Sequence, residues 1–598
     1  MIYVLDCEVF QSGDWCFCIK NCVTGENIEI VNDSQKLKDF YEKTKNFIYC
    51  AFNSSYDMYI FKAILGGYNP VDMNNHIIEK GLSGYTFDKD LIRFPMNFFD
   101  IYIQGGGSLK KLEGWLGHDI TESTVDFKQK EPLTEAQWEE TLRYCNYDVT
   151  EAIEVMCRRK NEFIAKWDLI KKFDLPTSAI NRTKAQLGST ILDARKQDHN
   201  DEWDLQLPEC RILSDKLQFV VDWFLDPKNH NENSKLPITV AGCSGNIGFG
   251  GIHLCRDKYV ASGDFMEADV ESLYPTIMIN FNLLSRNAQK PELFKEIYET
   301  RLRLKHEGKK QEQQPYKIIL NSNFGSTNFE FSDLYDPRQA HSVCVIGQIA
   351  MLDLIEKIED IVMLISANTD SIYVKLPDVE NKEEIREEFK RRVSEWEKRY
   401  GFKMEYAKFD KIAQRDVNFY CLRELGKKGP EIKGKGAYCK SLTALDWNLA
   451  VINKAVVSYF MEGIPVEKTI QDNDNLIDFQ NIVHLSSLYN EAWKNCTFSK
   501  ESYTKEDTGR KNTRTVWNKD GEKFEFMKTF RVFASKNPND GGIYKRKIGK
   551  NPEKFANTPE HCFVLNSNIV GKKCSEFPDL DKVWYINLAN KIIGDFYK

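Results

Sequence analysis

Hydrophobic and polar positions change period several times along the chain. Residues 1–60 carry short apolar runs, MIYVLDCEVF, WCFCIKN and NFIYCAFN, and predict strands and turns. From Thr134 the period becomes helical. Thr134-Glu135-Ala136-Gln137 has the form of a capping box, and Leu142, Cys145, Val149, Ile153 and Met156 recur on one face, which predicts one long helix over 135–165. Residues 195–240 are polar, include DPKNHNENSK, and predict a surface loop or boundary. A second strand-rich unit is expected from near 255. Residues 288–328 predict two helical segments separated by Gly308 and KKQEQQP, and 362–375 predict a β-hairpin. Beyond 440 the pattern predicts helices mixed with basic loops such as KEDTGRKNTR and GGIYKRKIGK.

The chain has 598 residues, room for roughly three to five domains. At 42% hydrophobic and 12% aromatic it is a folding sequence, not a disordered one. No apolar run approaches the roughly 20 residues of a membrane span, and MIYVLDCEVF lacks the form of a secretory signal. The 16 cysteines are scattered without a CxxC pair, so reduced thiols, a cytoplasmic location and no structural zinc are expected. A net charge of -7 excludes a uniformly basic nucleic-acid coat and leaves only local basic surfaces.

Acidic residues change the picture. Asp6 and Glu8, two apart on an apparent strand, share one face. Asp57 closes Asn53-Ser54-Ser55-Tyr56-Asp57 after the run NFIYCAF, and Tyr144 and Asp148 lie one helical turn apart on a face other than the apolar stripe. Four carboxylates gathered together call for cations, and two hard divalent ions suit them. Such a pair activates water and stabilises the leaving oxygen of a phosphodiester, with Tyr144 able to orient the water. The order DxE, NxxxD, YxxxD resembles the 3′–5′ proofreading exonuclease domain of family B DNA polymerases. The resemblance implies that Asn53 and Tyr56 grip a frayed single strand. Ser108-Leu109-Lys110-Lys111-Leu112 resembles the family's strand-binding element, implying that Ser108 and Leu109 touch the 3′ end. A lysine assists catalysis in some members. Lys128 and Lys130 are both candidates.

A second set follows. Asp269-Val270-Glu271-Ser272-Leu273-Tyr274-Pro275 resembles the family's motif A, which implies metal binding by Asp269 and the Val270 carbonyl, and a sugar-packing role for Tyr274 that excludes a 2′-hydroxyl. Lys317, Asn321 and Phe324 share a helix face and resemble motif B with Phe in place of Tyr, a change that keeps the ring and removes a hydroxyl. Arg301 and Lys305, one turn apart upstream, resemble the fingers residues that hold a triphosphate. Ser366-Ala367-Asn368-Thr369-Asp370-Ser371 resembles motif C. Asp370 matches its metal ligand, whereas Asn368 replaces its first aspartate, keeping hydrogen bonding and losing a charge. Gly250-Gly251 resembles the family's YxGG element, with Gly248 at the tyrosine position. Lys433, Lys435 and Tyr438 resemble its primer-terminus region, inside a stretch with a local basic excess.

The resemblance covers about 1–440 and implies an α+β / α/β multidomain fold. A ribonuclease-H-like exonuclease domain is expected at 1–165 and a linking region at 166–255. A palm is expected at 256–285 and 329–440, fingers at 286–328, and a thumb and C-terminal region at 441–598. It implies a phage-type DNA polymerase with two Mg²⁺ or Mn²⁺ per active site and dNTP substrates. Expected partners are primer–template DNA, single-stranded DNA, a helicase and a primase, with the chain monomeric and off the membrane. The intervals 276–316 and 326–367 are short, unlike those of protein-primed relatives, so extension of nucleic-acid primers is expected. A protein-primed replicase, a nuclease whose synthetic site is impaired by Asn368, and a non-catalytic DNA-binding scaffold are the alternatives.

Overall fold

The computed structural model of the protein describes residues 1–102, 106–207, 215–426, 428–504, 511–519 and 521–598. It is a mixed α+β chain with two large sheets and a C-terminal group of smaller ones. The first sheet holds β1 (Ile2–Val9), β2 (Trp15–Asn21), β3 (Asn27–Val31), β4 (Ile48–Ala51) and β5 (Asn97–Asp100) in the order β3-β2-β1-β4-β5. β1 to β3 are antiparallel neighbours, whereas β4 runs parallel to both β1 and β5. Side chains alternate across β1. Tyr3, Leu5, Cys7 and Val9 enter an aromatic core with Phe17, Phe40 and Phe61. Val4 enters the main core on the opposite face, which Asp6 and Glu8 share.

Helix Glu135–Arg158 crosses that second face and buries Cys145 and Val149 in the main core. Leu142, Ile153 and Met156 are partly buried against it. The capping box forms: the Thr134 N–H donates to Gln137 Oε1 at 3.0 Å, and the Gln137 N–H donates to Thr134 Oγ1 at 3.4 Å. The helix stops before 165. Arg159 leaves helical geometry and a second helix runs Lys160–Lys172. Residues 158–162 read RRKNE, so no apolar side chain carries the stripe across the break. Residues 1–60 also hold helices that the strand-and-turn expectation omits. One, Ser34–Thr44, is capped by Asp33 and buries Leu37, Phe40 and Tyr41.

The second sheet has nine strands: β6 (Lys235–Val240), β7 (Cys243–Gly248), β8 (His253–Cys255), β9 (Tyr259–Val270), β10 (Met363–Asn368), β11 (Ser371–Lys375), β12 (Met404–Asp416), β13 (Phe419–Gly426) and β14 (Gly429–Lys435). Their order is β14-β13-β12-β9-β11-β10-β8-β7-β6. The hairpin expected at 362–375 forms as β10–β11. Strands start at Lys235, not near 255, and the expected loop at 195–240 contains helix Asp215–Leu225. The polar run before Lys235 masked a short alternation, Leu236, Ile238, Val240. The two helices expected in 288–328 are Pro291–His306 and Gln314–Thr327. Helix Pro337–Ile358 is buried along most of its length, and Trp396 Nε1 donates to its Ala350 carbonyl at 2.8 Å.

Beyond 440, strands are more prominent than expected. Within GGIYKRKIGK, Ile543–Arg546 is a strand, and part of KEDTGRKNTR (505–510) lies outside the described residues. Strand Thr529–Ala534 carries Arg531, whose side chain is fully buried. Its guanidinium donates to the His118 carbonyl at 2.6 Å, the Gly114 carbonyl at 3.3 Å, the Ser567 carbonyl at 2.7 Å and Gln480 Oε1 at 2.9 Å. It therefore fastens the C-terminal strands to helix Leu109–Leu116 and the loop after it. Burial lowers its pKa to about 10, which leaves it charged at neutral pH. Replacing Arg531 by Met orphans several buried carbonyls at once. Arg531→Met is expected to destabilise the chain by about 3–5 kcal/mol, read as a lower urea midpoint.

Candidate active sites

The first carboxylate set sits where β1 and β4 part. Their parallel pairing covers Ile2, Tyr3 and Val4 and then stops. The Cys7 N–H beyond that point donates to Asp57 Oδ1 at 3.1 Å. Asp57 lies in the first turn of helix Ser55–Leu65, where the helix dipole favours an anion. The chain reaches that helix through Asn53, which is left-handed at φ 63° and whose N–H donates to Asp100 at 2.9 Å. Tyr56 donates to Asn74 Oδ1 at 2.8 Å. Cys145 holds helix Glu135–Arg158 against β1 through the Asp6 carbonyl, 3.4 Å away, which delivers Tyr144 and Asp148 to the Asp6–Glu8 face. Asp148 is 8% exposed and Tyr144 is partly buried, so this face is covered as well as the apolar stripe beside it.

Burial, and then the neighbouring acids, push Asp6 and Glu8 well above the usual carboxylate range. Burial raises Asp57 to about 7 and raises Asp148 despite the cation beside it. That cation is Lys110, which is ion-paired with Asp148 and lies 3.1 Å from Glu113 Oε1 and 4.5 Å from the Tyr144 ring centre. Burial opposes its charge, yet Asp148 and Glu113 hold its pKa above normal. Lys128 and Lys130 are exposed, so the lysine of this site is one that neither candidate anticipated. The signal was present: Lys110 lies inside the Ser108–Leu112 element itself. Ser108 precedes helix Leu109–Leu116 with its hydroxyl buried and without a partner, and Leu109 packs against the main core.

The second set is built on β9. Asp269, one residue from its end, lies opposite Ser371 of β11 and Glu405 of β12. The Val270 N–H donates to the Asp370 carbonyl at 2.7 Å, fixing the β10–β11 turn beside Asp269. Burial first, then Asp370 and Glu267, raise Asp269 to about 7, and burial raises Asp370. Asn368 Oδ1 accepts a hydrogen bond from the His253 Nδ1–H at 2.8 Å. Thr369 in the turn is left-handed at φ 58°, which is rare for a β-branched residue. Its N–H donates to the Ile252 carbonyl at 2.8 Å, and a Cβ on Gly251 would come within 2.5 Å of its hydroxyl. Gly251 thus admits the carboxylate turn, whereas Gly250 faces open space and its carbonyl accepts from Gln348 at 2.9 Å.

Motif-like residues from distant segments meet here. The Tyr274 and Phe324 rings stack at 4.1 Å and 29°. Lys317 and Asn321, on the same helix as Phe324, are exposed. Arg301 is 8% exposed and its guanidinium meets the Ser272 hydroxyl. Lys305 is ion-paired with Glu271 at 2.9 Å and Glu405 at 2.7 Å. Glu271 and Glu405 were not anticipated, although Glu271 stands two residues after Asp269 in the same segment. Lys433 pairs with Glu424 at 2.5 Å, Lys435 is exposed on edge strand β14, and Tyr438 packs on a C-terminal core. Neither carboxylate set brings three ligand oxygens within 4.8 Å of one another. Among the described residues that spacing occurs elsewhere, at Glu202, Glu232 and His341.

No protein-family model matches the chain, and no curated protein matches it. Among solved structures it is similar to the family B DNA polymerase from the hyperthermophilic archaeon Pyrobaculum calidifontis. The identity is 13% and the TM-score 0.42, over 100% of this chain and 77% of that one.

Raised carboxyl pKa values carry a stability consequence. Asp269 holds a proton up to about pH 7 when folded and releases it near pH 4 when unfolded, so folding is favoured at low pH and that advantage fades as pH rises through 7. Asp269→Asn removes the dependence. In EDTA its melting temperature is expected to match wild type near pH 4 and to exceed it above pH 7, by about 1–3 kcal/mol of stability. Equal shifts at both pH values would contradict the burial argument.

Proposed function

We propose that the protein is a DNA-directed DNA polymerase of the family B kind with a 3′–5′ proofreading exonuclease. The observation that carries this reading is the pair of buried carboxylate sets, on different sheets, each assembled from segments that the sequence motifs marked in order. The first sheet and helix Glu135–Arg158 would be the exonuclease domain. The nine-stranded sheet would be the palm, helices Pro291–His306 and Gln314–Thr327 the fingers, and the remainder beyond 440 the thumb and C-terminal region.

Divalent cations fit both sets. Asp6 Oδ2 is buried without a partner, and Asp269 is crowded by Asp370 and Glu267 without a cation in contact. Asp269, Asp370 and the Val270 carbonyl would hold Mg²⁺ or Mn²⁺ at the synthetic site, and Asp6, Glu8, Asp57 and Asp148 at the hydrolytic one. Bound there, the ions would supply charge neutralisation and a more acidic primer hydroxyl or attacking water. The stacked Tyr274 and Phe324 would floor the nucleotide pocket and exclude a 2′-hydroxyl. Exposed Lys317 and Asn321 would meet the triphosphate. Arg301 and Lys305 hold the segment just after Asp269, and incoming phosphate oxygens would compete with Glu271 and Glu405 for Lys305. Gly250, Lys433, Lys435 and Tyr438 would follow the duplex, and Asn53, Tyr56, Ser108 and Leu109 the frayed end. A mismatch frays at lower cost than a match, which gives the hydrolytic site its selectivity.

Asn368 argues against a nuclease-only reading. Its amide is engaged by His253, and the Asp269–Asp370 pair stands without it. The proposal extends to a phage or related genome, with nucleic-acid primers and separate helicase and primase activities.

The test is extension of a 5′-labelled primer–template in Mg²⁺. Wild type should both extend and degrade. Asp370→Ala should lose extension by at least ~100-fold and still degrade, and Asp6→Ala should do the reverse. Wild type that only degrades, whatever the dNTP supply, would sink the synthetic assignment. Lys110→Ala should slow degradation by ~10–100-fold while leaving extension intact, because the acids that lose their partner, Asp148 and Glu113, both lie beside the first carboxylate set.

A further inference from the structure

Away from both carboxylate sets, three chain segments converge on one buried histidine. His341 lies in helix Pro337–Ile358 and is 1% exposed. Neither of its ring nitrogens makes a hydrogen bond of good geometry, although the Glu202 backbone lies beside the ring. Glu202 comes from the turn after Asp201, and Glu232 from the turn at 231–234 that leads into β6. One ligand atom from each of the three side chains lies within 4.8 Å of the other two.

We propose that Glu202, Glu232 and His341 form a binding site for a single divalent transition-metal ion of the Zn²⁺ or Mn²⁺ class. A bland account would make His341 a stacked core residue. It does stack on Trp203 at 4.5 Å, and Trp203 stacks in turn on His230 at 5.1 Å. Stacking leaves the buried ring nitrogens without a well-formed hydrogen bond, which is costly for a polar ring. It also does not explain why two carboxylates face that ring. Burial keeps the imidazole neutral, the form that coordinates a metal. Burial and the nearby Glu232 raise Glu202, a penalty that a cation would remove. One imidazole with two carboxylates suits Zn²⁺ or Mn²⁺ better than Ca²⁺, which takes six to eight oxygens.

The site would clasp three segments. The Asp201 side is already tied down by Arg286 at 2.7 Å and Arg338 at 2.9 Å, and the Gln206 N–H donates to Ser342 Oγ at 3.0 Å. Phe249 packs edge-on to Trp203 at 4.8 Å and lies 5.3 Å from the His341 ring. A metal here would thus brace Phe249, two residues before Gly251, the glycine against which the Asp370 turn rests.

The test is metal binding by the full chain in saturating Mg²⁺, so that the acidic sites are already filled. Zn²⁺, Mn²⁺ and Co²⁺ are each added alone and followed by equilibrium dialysis, thermal shift and, for Co²⁺, visible absorption. Wild type is expected to retain one equivalent and to melt at a higher temperature when loaded. Glu232→Gln changes an exposed side chain and should fold normally, yet bind at least ~10-fold more weakly. His341→Ala should abolish the Co²⁺ spectrum. An Asp6→Ala, Asp370→Ala double variant should keep the equivalent, which separates this site from the proposed catalytic ones. Binding that Glu232→Gln leaves unchanged, or no retained ion of the three in wild type, would overturn the proposal.

Discussion

The antiparallel register of β9 with its two neighbours is the constraint on which the larger sheet's chemistry depends. It sets Asp269 opposite Ser371 on one side and Glu405 on the other, and it lets the Val270 N–H take the Asp370 carbonyl. A slip of one residue would turn Asp269 to the opposite face and send the flanking apolar side chains out of the core. The register is held by burial: Phe265 enters one core and Met266, Ala268 and Val270 the other. Hydrophobic alternation thus places a carboxylate where its own solvation would not put it. Like charges opposite one another in a sheet repel. Lys305, pairing with both Glu405 and Glu271, relieves the crowding, and its helix is thereby drawn onto the strand end.

The first sheet solves the same problem differently. Its carboxylates come from a strand, a helix N-terminus and a long crossing helix, and each is placed by a backbone contact. The Cys7 N–H meets Asp57, and the Asp6 carbonyl meets Cys145. The counter-charge, Lys110, rides on helix Leu109–Leu116. That helix is fastened from behind by Arg531, 421 positions along the chain from Lys110. The C-terminal strands therefore reach the Asp148 neighbourhood through one buried guanidinium and one short helix.

Much of this was legible in the sequence because it is local. The capping box at Thr134, the hairpin around Asn368–Ser371 and the helix pair flanking Gly308 each depend on residues a few positions apart. Tyr274 and Phe324 were marked separately, and the fold stacks them. What was hidden depends on partners distant in the chain. The Ser108–Leu112 element marked the place of Lys110, but its role shows only when Asp148 is placed beside it. Glu405 has no signal until β12 pairs with β9. β6 and β7 were lost because short alternations follow a polar run, and a strand that is stable only as part of a nine-stranded sheet needs little propensity of its own.

Asn368 shows how the two levels combine. Read in sequence, it keeps hydrogen-bonding capacity and loses one charge of an acidic motif, with activity expected to survive and an impaired site only the alternative. In the structure its amide faces His253 across the β10–β8 pair, while the turn that carries Asp370 is fixed by other means. Thr369 accepts a left-handed backbone, Gly251 leaves the space for it, and the Ile252 carbonyl takes its N–H. An aspartate at position 368 would add one more carboxylate to a region where burial already raises Asp269 and Asp370. The amide instead shares a hydrogen bond with an imidazole that burial keeps neutral. The substitution therefore lowers local repulsion without loosening the turn, which makes an acidic pair with a neutral neighbour a self-consistent arrangement.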